Sequence, residues 1–480
     1  MNFTSIAFYI LFICCILALY LQEKIEKNDG KLKVWTLIIF SLIFCAWQNW
    51  RFLVIVFLEA VIVYFIALQF DKYRSKIWIC LGVIIPLAFL CVFKYYNFFV
   101  DTFNFWGLSL KRIEMLLPIG ISFYTFSAIG YIVDIHRGKY KAEKSFSKVL
   151  LYMTFFPKLT AGPIISADTF WKQLDNKNNR VTWNRLNDGI QMILFGIIKK
   201  NVFSDHISEF VNCVYSNVSM YNAPTLLLAV FGYGIQIYLD FSGYSDMAIG
   251  CATCLGIDLP RNFNLPYLSR NISEFWKRWH ITLSEWLMKY LYISLGGNRK
   301  GYIRTLINLL LTMAIGGLWH GSSWNFVLWG ILNGLGLCVH KEFMRIRRIS
   351  KNYIPNKINM FIDVIGTYIF VNFCWIFFRI SDLHVIKELL YGIVSMKEGV
   401  SFYSSWTLLA FLAIIISTLF AVIKSYILAS DKTTFYTDIN GFYVKLNLRK
   451  FGNIVILFVV LGIILATAYA DANPFIYAAF

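Results

Sequence analysis

Charged residues are scarce in this chain, at 15% of its 480 residues, whereas soluble proteins carry about 25%. Proline is also rare, with nine residues, and histidine occurs only six times. Hydrophobic residues take up 58% of the sequence, and the mean hydropathy is +0.60. This composition excludes an ordinary soluble domain and predicts an integral membrane protein.

Long apolar runs mark the candidate membrane helices, since a helix needs roughly 20 residues to cross a bilayer. The clearest runs are Phe3–Leu21, Val34–Trp47, Phe52–Leu68, Ile77–Phe93, Leu226–Tyr238, Trp406–Leu428 and Ile454–Tyr469. With weaker runs included, we expect an all-α polytopic membrane protein of about 10–13 membrane segments, some of them re-entrant. Amphipathic interfacial helices would surround a central funnel.

Local composition along the sequence divides the single membrane domain into four parts. Residues 1–100 are plain apolar spans of a peripheral scaffold, and residues 359–470 are plain spans again, followed by a short tail at 471–480. Between 110 and 345 the apolar segments are interrupted by glycine, proline and polar residues. Irregular backbone at membrane depth is tolerated only where it is buried or lines a cavity. We therefore expect the functional site within residues 110–345.

Basic residues outnumber acidic ones by 45 to 27, which gives a net charge of +18. The cations are concentrated in some loops and nearly absent from others. The rich loops are residues 24–33, 72–76, 136–148, 341–357 and 431–450. By the positive-inside rule these loops are cytoplasmic, which places both chain ends outside the cell. The positive charge therefore predicts topology and does not indicate nucleic-acid binding.

Several motifs of soluble enzymes are missing from the sequence. It contains no Walker motif, no dinucleotide fingerprint and no G-x-S-x-G nucleophile elbow. The ten cysteines lie mostly in apolar runs, and the CxxC spacing of Cys251 and Cys254 has no second pair. We expect no bound metal and no bound cofactor.

One histidine, His320, lies between two apolar runs, in "GGLWHGSSWNF". A titratable group at membrane depth is costly unless it has a partner or a function. Flanking glycines permit close backbone approach, and Ser322 and Asn325 offer hydrogen-bonding groups. A structural role and a catalytic role both fit His320. Its neighbours Trp319, Ser322 and Asn325 are candidate substrate contacts. The histidines His136, His206, His340 and His384 are most simply solvated interface residues.

The segment from Arg270 to Gly301 has the pattern of an amphipathic helix at a membrane interface. At helical spacing, Phe275, Trp279 and Trp286 fall on one side, and charged residues that include Arg278 fall on the other. Asn271 with Glu274 resembles a capping box, and Gly296 with Gly297 would end the helix. His280 lies at the edge of the apolar stripe. A helix that only anchors the chain fits the same pattern.

Two further sets of charged residues have alternative interpretations. Asp240 and Asp246, in "YLDFSGYSDMAIG", suit either a proton or ion relay or structural acceptors for neighbouring hydroxyl groups. Arg299 and Lys300, in "LGGNRKG", suit either a phosphate-bearing ligand or an ordinary basic turn.

Together these segments resemble a known family. "SEFWKRWHITLSEWLMKYLYISLGGNRKG", followed by "GGLWHGSSWNFVLWGILNG", is similar to membrane-bound O-acyltransferases, specifically their bacterial AlgI/PatA/DltB branch. The stretches "LPIGISFYTF", "FFPKLTAGPI", "GIIKKNVFSD" and "YLDFSGYSDMAIG" resemble the same branch in the same order. The resemblance implies an acyltransferase in which His320 is the catalytic histidine and His280 a supporting one.

The ending "PFIYAAF" resembles the F-x-Y-x-x-F tail of the polysaccharide O-acetyltransferases in that branch. The resemblance favours O-acetylation of peptidoglycan or an alginate-like exopolysaccharide over D-alanylation of teichoic acid. It also makes Tyr477 a candidate covalent relay for the acetyl group. A C-terminal tyrosine taken alone is usually an interfacial aromatic residue.

The resemblance implies a cytosolic thioester donor, such as acetyl-CoA, and a multi-pass protein of the bacterial plasma membrane. The expected partner is an extracytoplasmic SGNH-type O-acetyltransferase that passes the acetyl group to the polysaccharide. Two other classes remain open. A transporter or flippase would explain the interrupted spans without covalent transfer, and a silent scaffold would tolerate loss of His320.

Overall fold

The computed structural model of the chain describes residues 3–25, 31–349, 357–428, 446–468 and 475–476. Within these ranges the regular structure is helical and contains no β-strand. A single isolated bridge joins Tyr221 and Val400. The all-α prediction is therefore confirmed. The chain forms two compact units, one from Met1–Ile193 with Tyr244–Pro260, the other from Leu194–Gly243 with Arg261–Ile476.

In the described part of the chain, ten helices lie wholly or mostly in the first unit. They are α1 Ile6–Ile25, α2 Lys31–Ala46, α3 Arg51–Tyr73, α4 Lys76–Leu90, α5 Tyr96–Phe105, α6 Ile121–His136, α7 Phe146–Thr154, α8 Phe156–Leu159, α9 Ala167–Asp175 and α10 Trp183–Ile197. A π-helical segment, Cys91–Tyr95, joins α4 to α5. Buried Lys158 donates a hydrogen bond to the hydroxyl of Ser127, and its ammonium group lies 3.8 Å from the ring centroid of Tyr152.

The remaining helices lie wholly or mostly in the second unit. They are α11 Asp205–Ser216, α12 Ala223–Cys254, α13 Ile272–Arg278, α14 Ile281–Trp286, α15 Tyr302–His320, α16 Trp324–Ile349, α17 Lys357–Arg379, α18 Leu383–Val394, α19 Ser405–Leu428 and α20 Phe451–Thr467. Two π-helical segments, Ile198–Ser204 and Leu287–Tyr292, precede α11 and follow α14.

Six helices in the described parts of the chain are long and apolar enough to cross a membrane. They are Ile6–Lys24, Arg51–Tyr73, Lys76–Phe105, Ala223–Cys254, Tyr302–His320 and Ile358–Arg379. Shorter apolar helices lie at Ser405–Ile416 and Phe451–Thr467. A multi-pass membrane protein is therefore confirmed. The total of about 10–13 segments and the four-part division of the sequence stay predictions.

The sequence pattern was wrong about two helices. The stretch "YLDFSGYSDMAIG" does not interrupt the backbone, because α12 runs through it for 32 residues. Conversely, the segment after Arg270 is not one helix: it breaks at His280, whose φ of 42° lies in the left-handed region. Arg278 is buried and pairs with Glu274 at 2.6 Å, so it does not lie on an exposed charged face.

Other predictions about that segment are confirmed. The side chain of Asn271 accepts a hydrogen bond from the Glu274 backbone N–H at 2.9 Å, as an N-cap does. The glycines Gly296 and Gly297 both have positive φ where the helical segment ends. His206, however, is half-buried rather than fully solvated. Its ring stacks on Trp406 at 4.2 Å, and its Nε2 donates to the Thr467 carbonyl oxygen, so it joins α11, α19 and α20.

Candidate active site

His320 is the last residue of α15, at the turn that leads into α16. The two helices pack closely because small residues face each other. A Cβ atom on Gly317 would lie 2.2 Å from the Phe326 carbonyl oxygen, and one on Gly330 would lie 2.2 Å from that of Met313. No side chain fits at either contact. The glycines around His320 therefore set its position.

Aromatic rings enclose the His320 imidazole, which is 4% exposed. Trp329 and Phe378 meet it edge-on at centroid distances of 5.2 and 5.5 Å, and Trp319 lies at 4.9 Å. The negative end of the α15 dipole lies at this residue. It stabilises the positive charge that the ring carries after accepting a proton.

His280 occupies the break between α13 and α14 and is completely buried. Its Nδ1 lies 3.3 Å from Asn262 Oδ1, which also accepts hydrogen bonds from the backbone N–H and the hydroxyl of Thr282. The Thr282 N–H can only donate, so the Asn262 atom is an acceptor and the histidine must donate to it. His280 therefore carries its proton on Nδ1 and its lone pair on Nε2.

Backbone hydrogen bonds fix the strained conformation of His280. The N–H of Ile281 donates to the Asn262 carbonyl, and the N–H of Asn264 donates to the Arg278 carbonyl, both at 2.9 Å. A left-handed conformation costs a residue other than glycine of order 1 kcal/mol or more, and it persists only where the surroundings impose it. Burial lowers the pKa of His280 to about 3. The ring is therefore neutral at physiological pH.

The two histidines lie close together. Their ring centroids are 6.4 Å apart, and Trp319 contacts both rings. The structure thus brings together three of the residues singled out in the sequence. It provides one neutral imidazole of fixed tautomer beside a second imidazole at a helix end, an arrangement suited to general acid–base chemistry.

The C-terminal tail is described only at Phe475 and Ile476, so Tyr477 lies outside the described residues. The N–H of Ile476 donates to Asp240 Oδ2 at 2.9 Å. Phe475 is buried with its ring 5.6 Å from that of Phe241, and Phe241 meets His280 edge-on at 4.6 Å. Phe475, two residues before Tyr477, therefore packs on the aromatic ring that contacts His280.

A known protein family accounts for most of the chain. The model for "MBOAT, membrane-bound O-acyltransferase family" matches residues 4–381, which include both histidines. The chain belongs to the membrane-bound O-acyltransferases. It is therefore an acyltransferase that uses an acyl donor.

Curated relatives of this acyltransferase include polysaccharide-modifying enzymes. It is 33% identical to a peptidoglycan O-acetyltransferase of Helicobacter pylori over 415 residues, 80% of this chain and 78% of the relative. It is 35% identical to a probable alginate O-acetylase AlgI of Pseudomonas aeruginosa over 420 residues, 85% and 76% of the two chains. A teichoic acid D-alanyltransferase of Streptococcus thermophilus is 29% identical over 252 residues, 49% and 59% of the two chains.

The other residues predicted to contact substrate in this acyltransferase differ from one another in burial. Asn325 is buried, its amide donates to the Phe377 carbonyl at 3.1 Å, and its oxygen accepts from Ser323. Asn325 thus joins α16 to α17. Ser322 is exposed, as are Arg299 and Lys300, which lie in the turn after Gly297. Substrate contacts by these residues stay predictions.

A cavity of about 470 Å³ lies in the first unit and is lined by residues such as Lys33, Lys148 and Arg180. None of the histidines lines it. The predicted funnel at His320 therefore stays a prediction.

Sequence reasoning missed the roles of two residues that organise the site. Asn262, which sets the His280 tautomer, lies 18 residues before the histidine in an unremarkable loop. The sequence predicts Asp240 as a proton or ion relay or as a structural acceptor for hydroxyl groups, and its contact with the tail depends on the fold.

Proposed function

We propose that this acyltransferase moves an acetyl group from acetyl-CoA, or a related cytosolic thioester, across a bacterial plasma membrane. The acetyl group is destined for hydroxyl groups of a surface or secreted polysaccharide. Two relatives named for O-acetylation of peptidoglycan and alginate support this assignment, since each aligns with at least 80% of the chain. The D-alanyltransferase aligns with 49%, so D-alanyl transfer is the weaker alternative.

The observation that carries the proposal is the buried pair of histidines beside the docked tail. In the first step, His320 accepts the phenolic proton of Tyr477 while the phenolic oxygen attacks the thioester carbonyl. The C–S bond then breaks, and the imidazolium returns its proton to the leaving thiolate. Tyr477 holds the acetyl group as an ester, which splits one transfer into two steps.

His280 supports this reaction as a neutral group. Its Nε2 lone pair can accept a hydrogen bond from the acceptor hydroxyl or from a bound water molecule. Trp319, which contacts both imidazoles, would line the space for the acyl group. An extracytoplasmic SGNH-type partner would take the acetyl group from Tyr477 and pass it to the polysaccharide. Both termini of the chain would then lie outside the cell.

Replacing His320 tests this function in cells. We expect His320→Ala to lower polysaccharide O-acetylation by about 10²–10⁴-fold, the usual contribution of general acid–base catalysis. His384→Ala is the matched control, because His384 is exposed. Its O-acetyl content should equal that of wild type at equal protein abundance. Normal acetylation in the His320→Ala strain would exclude His320 as the base and favour a scaffold.

A second measurement distinguishes covalent acetyl transfer from transport of the acetyl donor. Purified acyltransferase incubated with isotope-labelled acetyl-CoA should release free thiol and become acetylated itself. Movement of the label across a vesicle membrane without release of free thiol would favour transport.

A further inference from the structure

Lys200 and Asp205 are paired by a π-helical turn. In the segment Ile198–Ser204 the backbone N–H of Asp205 donates to the carbonyl of Lys200, five residues earlier. Residues five apart are therefore one turn apart here, whereas in an α-helix they would face different directions. As a result, Lys200 Nζ donates to Asp205 Oδ1 at 2.7 Å. The sequence "GIIKKNVFSD" contains this spacing.

A close helix contact brings a third charge to this pair. A Cβ atom on Gly243 of α12 would lie 2.7 Å from the Gly196 carbonyl oxygen and 3.2 Å from the backbone nitrogen of Lys200. Asp240 lies about one turn before Gly243, and its Oδ1 is 2.8 Å from Lys200 Nζ. The glycine thus allows α12 to approach until Asp240 reaches the lysine.

The cluster Lys200–Asp205–Asp240 is buried, with exposures of 5%, 1% and 0%. Burying charges costs several kcal/mol per ion, so a cluster like this is poor evidence of a stabilising role alone. Among the described residues, the Lys200 ammonium group is ion-paired with both carboxyl groups. The second oxygen of Asp240 is directed to the tail, where it accepts from the Ile476 N–H at 2.9 Å.

We propose that the Lys200–Asp205–Asp240 cluster is the docking site for the C-terminal segment Phe475–Ile476, with Asp240 as a positioning residue for the acyl relay. Its purpose rests on the proposed function, because the docked segment leads directly into Tyr477. The contacts that hold the segment include the Asp240–Ile476 hydrogen bond and the packing of Phe475 on Phe241. Through Phe241 the docked segment is in contact with His280.

The contacts of Asp240 explain why a carboxylate is needed. One oxygen forms an ion pair with Lys200 and the other accepts from the Ile476 N–H, so both face donor groups. An asparagine offers one acceptor oxygen and one donor amide, so it can satisfy only one of these two donors. Asp240→Asn leaves the Lys200–Asp205 pair with balanced charge. The variant should therefore fold while losing the tail contact.

Photo-cross-linking measures docking without requiring catalysis. The full chain carries p-benzoylphenylalanine in place of Phe475, and mass spectrometry quantifies cross-links to the peptide that contains Phe241. We expect Asp240→Asn to lower this yield by about tenfold, the cost of one hydrogen bond to a charged group. Asp134→Asn is the matched control, since Asp134 is also a buried carboxylate paired with a lysine, at 2.7 Å. Its yield should equal that of the parent chain.

Carboxypeptidase digestion provides the same readout without an unnatural residue. We expect the carboxypeptidase to leave Ile476 and Phe475 on the wild-type chain. In Asp240→Asn it should remove both residues. Equal cross-linking and equal trimming in wild type and Asp240→Asn would overturn the docking proposal.

Kinetics separates positioning from a general structural defect. If Asp240 positions the relay, Asp240→Asn lowers kcat for release of thiol from acetyl-CoA in membranes that contain the partner and the polysaccharide acceptor, while KM for acetyl-CoA stays within twofold. An unchanged kcat, or a loss confined to KM, contradicts the positioning role.

The same variants distinguish a failure of tail docking from a failure of the acetyl relay through Tyr477. Docking should persist in His320→Ala and in Tyr477→Phe. If docking depends on Asp240 but the tail is never acetylated, the relay fails and the docking site stands. If the tail is acetylated equally in wild type and Asp240→Asn, the relay stands and the positioning role fails.

Discussion

At the scale of single residues, the two histidines differ in how the fold controls their protons. His280 is held neutral by burial and donates from Nδ1 to Asn262, whereas His320 lies at the negative end of a helix dipole. A neutral acceptor beside a ring that can hold positive charge suits proton transfer to and from a reacting hydroxyl. The division of roles comes from the environment, since both side chains are identical.

The lowered pKa of His280 predicts a pH-dependent stability. Its pKa is about 3 in the folded protein, below the ordinary value near 6.5. Between these values the unfolded chain binds a proton that the folded chain does not, so stability falls as the pH drops from 6.5 towards 3. Above 6.5 this residue has no such effect. Thermal unfolding in detergent at pH 7.5 and 4.5 should show a smaller acid-induced loss for His280→Gln. An equal loss in both proteins would contradict the burial effect.

Asn262 should matter through the His280 tautomer. Asn262→Ala removes the acceptor for Nδ1, so the imidazole can also carry its proton on Nε2 and lose its lone pair there. We expect kcat for thiol release to fall about tenfold or more, with little change in KM for the donor. Thr282→Val is the control, since it removes one hydrogen bond to Asn262 Oδ1 and leaves that acceptor in place. Equal kcat in Asn262→Ala and wild type would show that the tautomer does not matter.

At this scale the sequence predicted part of the candidate site, and the catalytic roles of its residues stay predictions. His320 was recognisable because a lone imidazole stood between two apolar runs among glycines. Family resemblance added His280. The roles of Asn262 and Asp240 were not predictable, since each acts through a contact that depends on three-dimensional packing.

At the scale of helices, the α15–α16 pair holds His320 in place. Its interface relies on backbone contacts at Gly317 and Gly330 that leave no room for a side chain. The apolar pattern predicted both helices, but it could not show which glycines lie between them.

Substituting one interface glycine tests this packing. Gly330→Ala places a methyl group against the Met313 carbonyl, so we expect a loss of stability of about 1–3 kcal/mol and a lower kcat. Gly366→Ala is the control, because nothing lies within 4 Å of its Cβ position in α17. That change should be neutral or stabilise the protein by about 0.5–1 kcal/mol. Thermal unfolding measures both variants. A Gly330→Ala variant as stable as wild type would contradict the tight interface.

The broken helix at His280 shows where pattern reasoning fails. The apolar positions Phe275, Trp279 and Trp286 are indeed buried, as helical periodicity predicted. Periodicity, however, reports which side chains are buried and not whether the backbone is continuous. The break is imposed by hydrogen bonds from residues 262–264, which lie outside the periodic segment.

At the scale of the whole molecule, composition predicted a multi-pass helical membrane protein. The loop charges additionally predict orientation, which helical packing alone cannot supply. Both termini are expected outside, and the loop that contains Gly138 inside.

Reporter fusions test this orientation. Alkaline phosphatase fused after Phe480 should be active, because it folds only outside the cytoplasm, whereas fusion to a chain ending at Gly138 should be inactive. Fluorescent-protein fusions at the same positions should give the opposite pattern. An inactive phosphatase after Phe480 would place the tail in the cytoplasm and remove the reason for a relay across the membrane.

The central claim is that His320 catalyses covalent transfer of an acetyl group to Tyr477. The most direct measurement is the mass of the C-terminal peptide after purified protein reacts with isotope-labelled acetyl-CoA. We predict a labelled acetyl group on the wild-type peptide and none in His320→Ala or Tyr477→Phe. An unlabelled wild-type peptide in a preparation that releases thiol, or equal labelling in His320→Ala, would contradict the account.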